Sequence, residues 1–159
     1  DSNTFAAMKR LIILMTFILL PLAMSAQISS FFERYNGQQG YQSIVYGKRM
    51  LDMMKDNASP DVKSLLDRIS SIRIISCDRQ NDHIVGIARR NVVGDDYEVI
   101  SQIKEDGSSS YFYIKEKGRK SKDVSFVMIG SGPKGSAVME IVGEFDVKDI
   151  SKLSVIGQK

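Results

Sequence analysis

The sequence predicts one α+β domain, in which an antiparallel β-sheet, with a C-terminal meander, carries several mostly N-terminal helices packed on one face. Two observations predict this class. Segments with helical spacing of apolar residues dominate the first half of the chain that follows an N-terminal apolar run, and short alternating strands with glycine-containing turns dominate the second half. Helices followed by such a meander are typical of helices segregated to one sheet face. The 159 residues, 43% hydrophobic and 26% charged, suit a single globular domain.

An export signal is predicted ahead of this domain. In MKRLIILMTFILLPLAMSAQ, which begins at Met8, two basic residues precede an uncharged apolar run, and small residues suited to signal peptidase follow. The apolar run Leu11–Ala23 is 13 residues long, whereas a helix that spans a bilayer needs about 20 residues. We therefore predict that residues 8–26 are a cleaved signal peptide, that residues 27–159 form a single domain, and that the mature protein is periplasmic or secreted.

Three helices are predicted in the N-terminal part of the domain. ISSFFERY places four apolar residues on one helical face, namely Ile28, Phe31, Phe32 and Tyr35. After a short strand in YQSIVYG, the segment KRMLDMMKD has the pattern of a helix whose methionines fill gaps in a core. In ASPDVKSLLDRIS, Ser59 is the expected N-cap and Pro60 suits the first turn. The buried stripe of this third helix is expected to comprise Val62, Leu65, Leu66 and Ile69.

The remaining segments predict strands, apart from one more helix capped by Asp82 and a short closing helix in KDISKLSVIG. SIRIIS is the first of these strands. DYEVISQIKEDGSSSYFYIKEKG contains two strands around a turn at Asp106 and Gly107, a strong hairpin signal. The first hairpin strand is expected to carry Tyr97, Val99 and Ile103 on one face. VSFVMIG is apolar on both faces and is expected at the centre of the sheet, and AVMEIVGEFDV alternates in polarity after a glycine-rich turn.

These segments resemble a known family when they are taken in order. FFERY, VYGKRMLDMM, SIRIISC, YEVISQIKEDGSSSYFYIKEKG and EFDVKDISKL follow the N-terminal apolar segment in the order found in domain of unknown function 4252 (DUF4252), a family of small exported proteins typical of Bacteroidetes. The resemblance covers nearly all of residues 28–153. It implies an envelope or secreted location, and it implies no reaction and no catalytic residues.

The stretch SCDRQNDHIVGIARRN holds the only cysteine and the only histidine of the chain, Cys77 and His83. A nucleophilic cysteine needs a basic partner that lowers its pKa, and His83 lies six residues away. We favour the interpretation that Cys77 ends a core strand as a small apolar residue and that Asp82 caps a helix. The inner face of this helix is expected to comprise Ile84, Ile87 and Ala88.

Metal and phosphate sites are not supported by the residue pattern. One cysteine and one histidine are too few for a zinc site. Asp78, Gln80 and Asp82 alternate as at the start of a calcium loop, but His83 and Arg89 stand where that loop needs glycine and glutamate. GSGPKGS lacks the Gly-Lys-Ser order of a phosphate-binding loop and fits a hairpin turn. The sequence therefore predicts no cofactor, no metal and no identifiable catalytic residue.

Two surface features are candidate binding sites. The first is a basic loop that contains Lys115, Lys117, Arg119, Lys120 and Lys122. It is either a solvated loop or a contact with an anionic membrane surface. The formal charge of +3 is spread along the chain rather than concentrated on one face, so we predict no nucleic-acid partner.

The second candidate is a sheet face that carries Tyr111 and Tyr113. Side chains alternate along a strand, so these tyrosines point away from Phe112 and Ile114. If helices cover only the Phe112 side, the tyrosines form an exposed partner surface, with Val138 and Val142 on the same face. The alternative is a second core layer under a helix.

Three functional hypotheses follow from these features. We favour a non-enzymatic envelope module that binds an unidentified envelope protein or a small ligand through Tyr111 and Tyr113. The second hypothesis is a hydrolase that uses Glu140 and Glu144, which a strand would place on one face. The third is a membrane-surface protein that uses the basic loop at residues 115–122. The sequence does not predict an oligomeric state.

Overall fold

The computed structural model describes residues 3, 4, 6, 27–116, 122–146 and 148–150. The helices between residues 27 and 95 are α1 (Ile28–Tyr35), α2 (Lys48–Met54), α3 (Pro60–Arg68) and α4 (Asp82–Gly94), with a 3-10 turn at Lys55–Asn57. The strands are β1 (Gln42–Tyr46), β2 (Ile69–Cys77), β3 (Glu98–Glu105), β4 (Ser108–Glu116), β5 (Val124–Gly132) and β6 (Gly135–Gly143). Residues 148–150 are also helical.

The six strands form one sheet in the order β1-β2-β6-β5-β4-β3, and every neighbouring pair is antiparallel. Helix α4 carries the chain from β2 to the far edge, and the meander β3-β4-β5-β6 returns until β6 pairs with β2. The predicted α+β class and antiparallel sheet are confirmed. The apolar strand β5 lies between β4 and β6, as its sequence predicts, and β1 and β3 are the two edges.

The helices lie on both faces of the sheet, whereas the sequence predicted cover on one face. We call the face that packs against α1 and α4 the covered face. Its core joins the apolar stripes of both helices to sheet residues Ile75, Tyr111, Tyr113, Val127, Ile129 and Val138. The prediction was wrong because α4, with 13 residues, connects β2 to β3 across this face and, together with α1, supplies a second layer.

The opposite face, which we call the open face, is covered mainly at one end. There α2 and α3 bury Leu51, Leu65 and Leu66 against Phe126 and Ile141. Both helices are short, with seven and nine residues. The predicted methionine core of α2 is wrong, because Met50, Met53 and Met54 are 45%, 65% and 41% exposed.

Local geometry agrees with most predicted turns and caps. Asp106 and Gly107 both have positive φ angles, of 48° and 76°, as a two-residue hairpin turn requires. Ser59 and Pro60 begin α3 as predicted. The N-cap of α4 is Asn81 rather than the predicted Asp82, because the Asn81 side chain accepts a hydrogen bond from the Ile84 amide.

The predicted signal peptide at residues 8–26 lies outside the described residues. In the part of the chain that the structure describes, no helix is both long and apolar enough to cross a membrane.

Candidate binding surface

Tyr111 and Tyr113 are buried, so the predicted exposed tyrosine face is wrong. Their side chains are 5% and 4% exposed and pack beneath α4. The guanidinium of Arg89, an exposed residue of α4, lies 4.0 Å from the centre of the Tyr111 ring and donates a hydrogen bond of 3.2 Å to the Tyr113 hydroxyl. The tyrosines therefore belong to the second core layer that the sequence left open as an alternative.

The covered face also contains a buried ion pair. Arg73 on β2 and Glu140 on β6 are cross-strand partners, and the Arg73 Nε donates to the Glu140 Oε1 over 2.9 Å. Glu140 is 5% exposed, and the Arg73 guanidinium stacks 4.6 Å from the Phe32 ring centre. The hydrolase pair is not formed, because β6 ends at Gly143 and Glu144 is exposed beyond it.

A second buried polar contact lies beside this pair. The hydroxyls of Tyr97 and Ser125 are hydrogen-bonded at 2.6 Å. Burial raises the pKa of Tyr97 to about 12, and the nearby Glu140 carboxylate acts in the same direction, although the Ser125 hydrogen bond opposes it. Both contacts satisfy polar groups inside the core, so neither leaves a free reactive group.

The stretch around Cys77 and His83 is the join between a strand and a helix. Cys77 is the last residue of β2, is partly exposed, and its Sγ donates to the Arg79 carbonyl at 3.5 Å. His83 is exposed in the first turn of α4. The predicted inner face of that helix is confirmed, since Ile84, Ile87 and Ala88 are buried. Among the described residues, no group of three His, Cys, Asp or Glu side chains could hold a metal ion.

The basic loop lies largely outside the described residues, which exclude Lys117, Arg119 and Lys120. Lys122 is described and exposed. Lys115 does not extend freely into solvent, because its Nζ lies 2.7 Å from the Asp95 carboxylate and 5.7 Å from the centre of the Tyr97 ring.

An apolar row crosses the open face at the margin of the area that α2 and α3 cover. Cross-strand partners place five residues side by side from β1 to β4, and we call them the open row: Ile44, Ile74, Met139, Met128 and Phe112. All five are half-buried. Phe112, Met128 and Met139 pack against the core under α2 and α3, whereas Ile44 and Ile74 belong to neither core cluster. No charged side chain interrupts the row.

Small side chains lie beside the open row, on the side away from α2 and α3. The next positions on the same face are Ser76, Ala137, Gly130 and Ser110 on β2, β6, β5 and β4, whereas β1 carries Gln42 there. Beyond them an open hollow of about 320 Å³ is lined by Ile103, Glu105, Asp106, Ser108 and Ser110. A bulky apolar row followed by a row of small residues leaves a shallow step across the sheet, which an elongated partner can fill.

The residues of the open row were each recognised in the sequence as strand residues, but the surface was missed. Within each strand, alternation grouped Ile44 with Tyr46, Ile72 with Ile74 and Phe112 with Ile114. Alternation does not indicate which face of the sheet the helices leave incompletely covered. The available signal was the short length of α2 and α3. Together they have 16 residues and lie at one end of a six-stranded sheet, so they leave part of this face uncovered.

The chain was also compared with known proteins. A family model described as a domain of unknown function (DUF4252) matches residues 35–153, which is more than half of the chain and includes the whole open row. No curated protein matches the chain.

Proposed function

We propose a binding function for this chain, which belongs to the DUF4252 family of domains of unknown function. It is a non-enzymatic module, exported to the cell envelope, that receives an amphipathic helix of a partner protein on the open row. The observation that carries the proposal is the uninterrupted apolar row of half-buried residues across five strands. Protein interfaces are depleted of charge at their centres and enriched in methionine and aromatic residues, as this row is.

A helix is the partner element that best complements this face. Two helices fill the covered face, and the open face has helices at one end only. The row crosses four gaps between strands, a span of about 19 Å at roughly 4.8 Å per gap. A helix rises 1.5 Å per residue, so about 13 residues match that span. An apolar stripe at i, i+3, i+4 and i+7, such as α1 places on the covered face, supplies the contact.

The shape of the surface favours a protein over a small molecule. Small-molecule sites enclose most of the ligand surface within a cleft or cavity. The hollow nearest the open row is lined by five residues of the β3-β4 hairpin and opens to solvent. A flat row with a shallow step does not enclose a small molecule, but it can contact the broad surface of a partner protein.

The test uses variants of two half-buried positions of the open row, one exposed control position and a synthetic helical peptide. The peptide has 14 residues, leucine at i, i+3, i+4 and i+7, and equal numbers of glutamate and lysine elsewhere. Ile74→Gln and Met128→Gln should each weaken binding at least about tenfold, since both remove apolar contact area from the row. Met53→Gln, on the exposed side of α2, is the matched control and should leave binding unchanged.

The same titrations identify the outcomes that contradict the proposal. Equal binding of a peptide with the same composition but scrambled leucines shows that helical amphipathicity is not recognised. Equal loss of binding in the Met53→Gln variant shows that the contact is not specific to the open row. Absence of measurable binding to the designed peptide also overturns the proposal of a general amphipathic-helix site.

A further inference from the structure

Strand β3 is an edge strand whose outer side has no pairing partner among the described strands. It has eight residues, contains no proline, and of these strands pairs only with β4. Within the described residues, no hydrogen bond from another element reaches its outer backbone groups. An edge of this length is normally shortened, covered or interrupted, because its free N–H and C=O groups accept another strand. The opposite edge is β1, which has five residues.

The side chains of β3 are apolar in the middle and acidic at both ends. Val99, Ile100 and Ile103 are 63%, 40% and 50% exposed, three of the most exposed large apolar residues in the described chain. The flanking carboxylates are Asp96 and Glu98 at the start and Glu105 and Asp106 at the end, all exposed. None of these four forms an ion pair with another described residue.

We propose that the outer edge of β3 binds an extended segment of a partner protein that has apolar residues in its middle and a basic residue near each end. The segment adds a seventh strand through main-chain hydrogen bonds, and its basic residues meet the two acidic ends. Glu98 and Glu105 are seven residues apart, which is about 23 Å in a strand. Complementary lysines or arginines therefore lie about seven or eight residues apart in the segment.

The charge pattern argues against a second copy of this chain as the occupant. When two β3 strands pair antiparallel over their full length, the acidic end of each strand lies against the acidic end of the other. Like charges directly opposite each other destabilise a strand pair. Lys104 is the only basic residue of β3 and does not offset four exposed carboxylates. A basic partner segment removes this repulsion.

The bulge in β3 defines which part of the edge is available. The pairing register with β4 shifts between Val99 and Ser101. From Ser101 to Glu105 the pairing is regular, so the alternate residues of this segment that do not bond to β4 direct their N–H and C=O groups outward at even spacing. Ile103 faces the hollow on the open face, and an added strand extends the sheet beyond it. The inference does not depend on the helix site, because no residue of the open row lies on β3.

The experiment uses a nine-residue peptide, Lys-Thr-Val-Thr-Val-Thr-Val-Thr-Lys, with blocked ends. Amide hydrogen exchange of the full domain should show new protection in β3, and Ile103→Lys should weaken binding at least about tenfold, because lysine on an edge strand opposes pairing and repels the basic peptide. Val45→Lys is the matched control, since Val45 is 64% exposed on the other edge strand. It should leave the affinity within about twofold of the unmodified protein.

Three results would overturn the inference. Equal affinity for a peptide with proline at its central position excludes strand addition, because proline lacks the amide donor. Equal affinity for a peptide that ends in glutamate excludes the charge match. Concentration-dependent dimers of the free protein that Ile103→Lys abolishes identify a second copy as the occupant.

Discussion

In the Arg73–Glu140 pair, the environment of Glu140 in the structure differs from the one that its sequence pattern suggests. In sequence, Glu140 alternates with apolar residues and resembles a solvated strand position. In the structure it is buried, and the guanidinium of Arg73, whose side chain is 25% exposed, provides its positive partner. A buried carboxylate without such a partner carries a large desolvation cost. Glu140 therefore depends on Arg73 for the compensation of its charge inside the core.

Removing one member of this pair should cost more than removing both. We expect Arg73→Met to lower the free energy of unfolding by about 3 kcal/mol, because Glu140 is left charged in the core. Arg73→Met combined with Glu140→Leu should recover most of that loss, since two apolar side chains replace the pair. Urea unfolding of the single and double variants measures both values. Additive losses in the double variant would contradict a coupled pair.

Tyr97 gives a pH dependence whose sign follows from its pKa. The phenol is neutral and buried in the folded protein, with a pKa of about 12 against an ordinary 10.0. The unfolded chain releases this proton first, so the contribution of Tyr97 to stability is complete below pH 10 and is lost as the pH rises from 10 to about 12. The free energy of unfolding should therefore fall more steeply with rising pH in this range than it would if all tyrosines were exposed.

The matched comparison for Tyr97 removes both hydroxyls of its hydrogen bond. Tyr97→Phe combined with Ser125→Ala leaves no unsatisfied partner in the core, so the pH dependence is isolated from the cost of a broken bond. Urea unfolding between about pH 9 and pH 11 should show a shallower decline in the double variant. Parallel declines in the two proteins would show that Tyr97 does not titrate differently in the folded state.

At the scale of elements, sequence patterns located the helices and strands, but they did not predict which elements each one packs against. The stripes of α1 and α4 were predicted from spacing and are buried as expected. In α3 only Leu65 and Leu66 of the predicted stripe are buried helical residues, because Val62 is half-buried and Ile69 begins β2. Spacing reports which side of an element is apolar. It does not report which sheet face that side meets, and this is decided by how the connection through α4 crosses the sheet. The tyrosines of β4 were misassigned for this reason.

Strand β3 shows a second limit at the same scale. Strict alternation predicted Val99 and Ile103 on one face together with Tyr97. The bulge inserts one residue, so Val99 pairs opposite Tyr113 on the covered side and Ile103 opposite Ser110 on the other. Tyr97 precedes the strand and is buried. No turn residue or glycine marks this bulge in the sequence, so alternation alone could not reveal the shift.

At the scale of the whole molecule, long-range pairing joins the two halves of the chain. Strand β2, which follows the N-terminal helices, lies between β1 and β6, and β6 is the last of the described strands. Each face of the sheet then receives helices that precede β3 in sequence. The open row and the free edge of β3 both follow from this arrangement, because the helical segments are too short to cover the whole sheet. Local sequence patterns indicated the elements, whereas these surfaces depend on topology.

The beginning of the folded core gives a prediction for the mature protein. Ile28 is 1% exposed and Gln27 lies at the N-cap position of α1, so cleavage after Ala26 retains the complete helix. A cut only two residues further on would remove Ile28 from the core. We expect the intact mass of the exported protein to match a chain that begins at Gln27. Ala26→Arg is the control, because signal peptidase requires a small residue there, and this variant should retain the mass of the uncleaved chain. An exported protein that still contains Met8 would contradict the cleaved signal peptide at residues 8–26.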